Sequence, residues 1–471
     1  MKRDTLIKGR GNQFFTIVIS AALVIFTSIS ALAEITLPYG SVTIRSKTEY
    51  QFQWSTPPNK ALVAGDSSDQ DFEEQLGLDW GWKEKGVSFH FLGRYRKDLD
   101  GTPNGSIFQD YIDGNGRQRE QILPYYGYFE FHDLLPNYDV RLGRQYVFGA
   151  SQNIQLDGLW LRGETPFNLN WLSLELYGGL VAQPFADLRR DILGGINLGF
   201  YPSRDLALHI DTTFYKESSW DLGADWRPYD NVQVSASSSF INNRADQAFI
   251  YVSTDIERTG TLVGIKLTRN FENKDRSEFI FDWQSPEKDL GKDIKRLYLA
   301  RERDYNQLDL SLSQHIPVHV GKITFFSRFS IRKLAFNDEE DLYSTDYTSI
   351  TAGLTLDELF QIHGFHCSLG ITKWWENRDL FYEAESFSFF ADVRQKLFER
   401  WEIAAGYYHK TEDVNSLIED EAANNYFGSI RFDMDENKWA ELKYQYERDD
   451  YYKEFGISDI NSLTATFFIK F

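Results

Sequence analysis

The chain has 471 residues, 42% of them hydrophobic and 16% aromatic, with a formal net charge of −20 and Cys367 as its single cysteine. One cysteine excludes an intramolecular disulfide and a covalent c-type haem motif, and the acidic balance disfavours nucleic acid as a partner. A mean hydropathy of −0.45 alongside so many aromatics suits a chain whose strands meet water on one face and carry aromatic girdles on the other.

At the N-terminus, Lys2, Arg3, Lys8 and Arg10 precede an apolar run from Phe14 to Ile29, followed by Ser30, Ala31, Leu32 and Ala33. This pattern predicts a signal peptide over 1–33, cleaved before Glu34, and a barrel over 34–471. No lipobox cysteine follows, so no lipid anchor is expected. Beyond residue 33 no second run of about 18 apolar residues occurs, which rules out a membrane helix. Alternating segments begin at once, at Val42 to Trp54 and Leu76 to Trp82, leaving no room for an N-terminal plug domain. The gaps Ser55 to Asp71 and Lys97 to Gln121 are the longest, and either is a candidate for folding inward.

Residues Val140-Arg141-Leu142-Gly143-Arg144-Gln145, followed by Asp157-Gly158-Leu159, carry the one local pattern that goes beyond alternation. Gly143 relieves crowding where strands curve, and Arg144 and Asp157 can pair across a hairpin. Arg144 falls in phase with Val140 and Leu142, so a lumen position for it would need a bulge or a place near the rim. The pattern resembles the GRQ…DG signature of alginate-export-type outer-membrane proteins and related porins, over about the hairpin from Tyr138 to Gly163. The resemblance implies a β-barrel through which a substrate passes. In that family a polyanionic polysaccharide crosses an electropositive pore, whereas this chain is acidic and has no dense arginine cluster.

Further segments follow in order at Trp171 to Leu176, Leu206 to Thr212, Val263 to Leu267, Leu308 to Ser313, Ile323 to Ile331, Phe387 to Val393, Trp401 to Tyr407 and Tyr426 to Phe432, with weaker ones at Phe279 to Trp283 and Leu297 to Arg303. Short polar turns such as Tyr201-Pro202-Ser203-Arg204 and Asp435-Glu436-Asn437-Lys438 alternate with longer charged stretches, as periplasmic turns and extracellular loops do. The last segment, Leu463 to Phe471, sets Leu463, Ala465, Phe467, Ile469 and Phe471 on one face and Thr464, Thr466 and Lys470 on the other. It resembles the final strand of bacterial outer-membrane proteins, which implies that Phe471 is read by the barrel-assembly machinery. Counting hairpins backwards predicts an all-β transmembrane antiparallel β-barrel of about 24 strands, with 20 to 24 compatible, wide enough for an aqueous channel.

With the polar phase inward, the lumen candidates are Arg45, Lys47, Glu49, Arg94, Arg141, Asp211, Lys266, Asp309, Arg328, Arg394, Arg431 and Lys443, joined by Arg144 and Asp157 from the hairpin. Asp79, His90, Glu130 and Glu175 share that phase. The mixed signs predict a channel for small polar solutes or ions in the outer membrane of a Gram-negative bacterium, with lipid and the assembly machinery as partners. Two alternatives are a sleeve for a multihaem cytochrome and an exporter of an acidic polysaccharide. No enzyme, cofactor or metal site is expected: G-x-S-x-G, P-loop and H-E-x-x-H patterns are absent, and His90, His209, His363 and His366 lack ligands at zinc spacing.

Overall fold

A computed structural model of the chain describes residues 36–37, 40–55, 68–99, 120–149, 152–166, 169–182, 192–215, 218–273, 304–318, 321–335, 346–359, 362–376, 384–414, 421–450 and 458–471. The expected signal segment lies outside these residues, as do most of the two long gaps. The strands are β1 (Thr36–Leu37), β2 (Gly40–Ser55), β3 (Ser68–Trp82), β4 (Val87–Asp98), β5 (Glu120–Leu135), β6 (Tyr138–Gly149), β7 (Gln152–Gly163), β8 (Leu172–Val181), β9 (Ile192–Ser203), β10 (Leu206–Phe214), β11 (Ser218–Tyr229) and β12 (Val232–Ile241). They continue as β13 (Arg244–Ile256), β14 (Thr261–Asn270), β15 (Tyr305–Val318), β16 (Gly321–Leu334), β17 (Tyr347–Asp357), β18 (Phe365–Glu376), β19 (Ala384–Leu397), β20 (Trp401–Val414), β21 (Glu421–Asp435), β22 (Lys438–Asp449) and β23 (Ile460–Lys470). Among the described residues, no helix is long and apolar enough to cross a membrane.

From β2 to β23 every strand pairs antiparallel with the next, and β23 returns to β2 from Arg45↔Lys470 to Ser55↔Ile460. The result is a closed barrel of 22 strands, on which β1 is a two-residue addition to β2. Closure pairs the first and last wall strands and so removes the two open sheet edges that a hydrocarbon solvent forbids. The expected count of about 24 is corrected to 22. The two weak segments, Phe279 to Trp283 and Leu297 to Arg303, fall in 274–303, outside the described residues. β14 pairs directly with β15 from Thr261↔Gln314 to Asn270↔Tyr305, so the wall has no place for a hairpin between them.

Alternation divides the wall into two phases. Ile265, Leu267, Leu310, Leu312, Ile350 and Leu354 occupy one phase and are exposed. Such a phase is stable only against lipid. Trp226, Tyr229 and Trp401 stay exposed at one end of their strands, with Phe214 and Trp220 at the other, where amphipathic rings meet a headgroup region. Ions and hydroxyls make up much of the opposite phase, which also carries a row of aromatic rings and glycines on β16 to β19.

Strands β8, β10, β12 and β14 have 10, 9, 10 and 10 residues, against 16 for β2 and β5, so the wall is low on one side. There two connections at the far end from the chain termini are short, at 215–217 and 242–243, as is 150–151 between β6 and β7, whereas 182–191 and 271–304 are longer. That departs from the expectation of long loops throughout that end.

Candidate functional site

On the inner phase of β2 to β6, ions from adjacent strands answer one another. Arg45 donates to Asp79 at 2.6 Å, His90 Nδ1 lies 2.7 Å from the other Asp79 oxygen, and His90 Nε2 faces Glu130 at 3.6 Å. Arg141 donates to Glu130 at 2.8 Å, and its guanidinium stacks 4.3 Å from the centre of the Trp160 ring. Arg96 pairs with Asp71 at 2.6 Å, Arg94 faces Glu73 at 3.6 Å, and Lys47 reaches Glu49 at 3.0 Å. These are cross-strand or same-face neighbours, which a pleated wall brings together without further folding.

A second group sits on β14 to β16. Asp309 accepts from Arg328 at 3.0 Å, from Gln307 and from Ser330, and Lys266 is its register partner on β14. Lys266 itself lies 4.7 Å from the Phe249 ring centre. On β19 to β22, Arg394 is 4.0 Å from Asp392, Arg431 pairs with Asp433 at 2.8 Å over Trp439, and Lys443 lies over Phe427. Asp211 stands on β10 beside Glu175, Asn197 and His209 around a polar recess. The candidates thus form separate groups on the wall. Among the described residues, no cluster of His, Cys, Asp and Glu is arranged to hold a metal ion.

The end of β6–β7 far from the chain termini breaks the pattern. The β5–β6 ladder stops at Gly127↔Arg144, while β6–β7 runs on to Gly149↔Gln152. On the other side, β7–β8 reaches Leu156↔Val181, with one further bond from Ala182 N to Gln155 O. Above those points two strands form a ribbon detached from the wall on both edges. Two glycines sit at its base. Gly143 has φ +133, and a Cβ there would stand 2.3 Å from Gly127 O; at Gly158 a Cβ would stand 2.2 Å from Gly178 O. Only glycine permits backbones that close at a bend.

The ribbon leans across the inner face of β8 to β10. Val147, Ile154 and Leu156 pack with Trp160, Tyr177, Val181, Leu193 and Ile241 in a dry cluster, in which Ile154, Leu156 and Leu193 have no exposed surface. Asn197 on β9 donates to the Phe148 carbonyl at 2.6 Å, and Tyr177 Oη lies 2.8 Å from Thr213 Oγ1 on β10. On this side of the barrel the inner face therefore carries a packed obstruction.

Arg144 and Asp157 form the hairpin ion pair, through two bonds of 2.7 Å. No bulge interrupts β6–β7, so both stand in the phase of the exposed Leu142 and Leu159. Arg144 also donates to Pro124 O, and Gln155 to Tyr125 O, across the seam where β6 leaves β5. Tyr177, Leu193 and Asn197, which hold the ribbon, had no part in the sequence reading. A signal existed all the same: Val147, Ile154 and Leu156 are apolar in the lumen phase and Arg144 and Asp157 are charged in the lipid phase, though Tyr146 and Phe148 keep aromatic surface outward.

Several solved structures share the general form. A BenF-like porin from Pseudomonas fluorescens Pf-5 is 11% identical over 92% of this chain and 100% of its own, with a TM-score of 0.45. OpdK of Pseudomonas aeruginosa, solved with vanillate, is 10% identical over 91% and 98%, at 0.44. OccAB3 of Acinetobacter baumannii is 12% identical over 91% and 99%, at 0.43. Values this low assign no family. No protein-family profile and no curated protein matches the chain.

Proposed function

We propose that this chain is an outer-membrane channel for small polar solutes or ions, exported with a cleaved signal over 1–33 and inserted as a barrel over 34–471. The observation that carries it is the division of a closed 22-strand wall into an apolar outer phase and a charged inner one. An interior this wide is not filled by its own side chains, and ions of both signs facing inward suit a hydrated bore. Arg45, Lys47, Glu49, Arg94, Arg141, Asp211, Lys266, Asp309, Arg328, Arg394, Arg431 and Lys443 line it in this reading. Arg144 and Asp157 act instead at the base of the ribbon, which narrows the passage. Phe471 is the residue offered to the assembly machinery.

The cytochrome sleeve and the polysaccharide exporter gain nothing from these observations. A ribbon packed across one side of the lumen takes up space that a threaded protein would need. The test is conductance: the refolded full chain in planar bilayers is expected to give discrete current steps. A preparation that inserts but passes no current above background refutes the channel.

A further inference from the structure

On the inner phase of β16 to β20, one register row has almost no hydrogen-bonding side chains. Phe326 pairs with Gly353, Gly353 with Gly370, Gly370 with Phe390, and Phe390 with Tyr408. A Cβ on Gly353 would meet the Phe326 ring at 2.5 Å, and one on Gly370 would meet the Phe390 ring at 2.3 Å. The edge of the Phe390 ring therefore covers Gly370, and the tip of the Phe326 ring reaches over Gly353. The glycines and rings together make a smooth apolar floor, which Tyr408, 40% exposed, extends by one strand.

Filling the notch over a glycine explains why a ring lies down. It does not explain the fringe. The row on one side runs Thr351, Thr372 and Ser388, and on the other Thr355, Ser368 and Asp392. Thr351 and Thr372 hydroxyls are 3.0 Å apart. Two of the charges beside the floor are paired, Arg328 with Asp309 at 3.0 Å and Asp392 with Arg394 at 4.0 Å, and Lys410 stands at the end of the upper row opposite Ser388.

An apolar face bordered mainly by hydroxyls and paired ions is the complement of a pyranose ring, whose C–H face is apolar and whose rim is hydroxylated. Aromatic faces bind such surfaces through dispersion and burial. An aromatic carboxylate would instead require an uncompensated cation at the fringe. We infer that this floor is a saccharide subsite in the lumen, an inference that rests on the channel reading.

The experiment is ion current through the refolded full chain in planar bilayers, with maltotriose added to one side. Concentration-dependent block is expected. Phe390→Leu keeps apolar bulk but loses the flat face and raises the half-blocking concentration about tenfold; Tyr408→Leu does the same and serves if Phe390→Leu fails to fold. Phe249→Leu, elsewhere in the lumen, leaves the block unchanged. Normal current with no maltotriose block, block that both variants leave intact, or block by benzoate but not by maltotriose overturns the subsite and spares the channel. Absence of any current sinks the channel reading and the subsite with it.

Discussion

The ribbon of β6–β7 is held by one buried cluster and few polar contacts, so a cut in the cluster should act on the ribbon before the barrel. Ile154→Ala removes apolar volume from a side chain with no exposed surface. Such truncations cost about 2–5 kcal/mol. Above Gly127↔Arg144 and Leu156↔Val181 the ribbon's ladder bonds are internal, apart from Ala182 N to Gln155 O. The loss therefore falls on its docked position. At about 3 kcal/mol the ratio of docked to lifted ribbon changes about a hundredfold. Asn197→Ala, which removes the 2.6 Å bond to the Phe148 carbonyl, should act in the same direction by about 0.5–1.5 kcal/mol. Single-channel recording is the assay, with the gel-mobility shift on heating as the measure of the barrel. Ile154→Ala is expected to visit a higher conductance level more often while the barrel's shift temperature holds. An unaltered trace combined with a lowered shift temperature would show that the ribbon is part of the wall, and the reasoning would fail.

Other outcomes follow from the two phases and from the ion pairs. Ile265→Arg places a charge on the lipid phase and should cost about 2–4 kcal/mol near mid-membrane, whereas Ser237→Arg on the inner phase, beside the Asp221 carboxylate, should cost little; urea unfolding in vesicles distinguishes them. Gly158→Val pushes a side chain against Gly178 O at 2.2 Å, so the bend should open at a cost of about 1–3 kcal/mol or more, while Gly81→Ala, with nothing within 4 Å of its Cβ, should fold normally. Arg141→Ala strips Glu130, whose side chain is 9% exposed, of its closest cation; a stability loss of about 1–3 kcal/mol and a reversal potential displaced toward cations are expected. Asp309→Asn should displace it toward anions.

Much of the wall was legible because alternation in a membrane barrel is enforced twice, by lipid outside and water inside. Leu308 to Ser313 proves to be the middle of β15, Val42 to Trp54 nearly all of β2, and Leu463 onward most of β23. Extra length at strand ends was not legible, since residues such as Ser68 to Gln75 in β3 lie in polar surroundings where periodicity is not imposed. The strand count drifted at 274–303, where two weakly alternating segments read as wall strands although β14 pairs directly with β15. The ribbon was missed for a better reason. Val147, Ile154 and Leu156 are apolar in the phase assigned to water, and Arg144 and Asp157 are charged in the phase assigned to lipid. A strand obeying the wall's rule cannot do both, so the reversal marks where the chain leaves the wall. Asn197 and Leu193 gave no warning, because their role depends on a neighbour three strands away.

The meeting of β23 with β2 bears on how the polypeptide becomes watertight. Ile44 and Phe471 exchange backbone bonds of 3.1 and 2.8 Å, and β23 is flanked by ladders on both sides. Until the eleven residues of β23 take their place, the sheet is a curled strip with two sticky margins. A polypeptide shortened by that strand would keep both margins, and each would be a template for another copy. The final stretch is the staple that turns a strip into a cylinder.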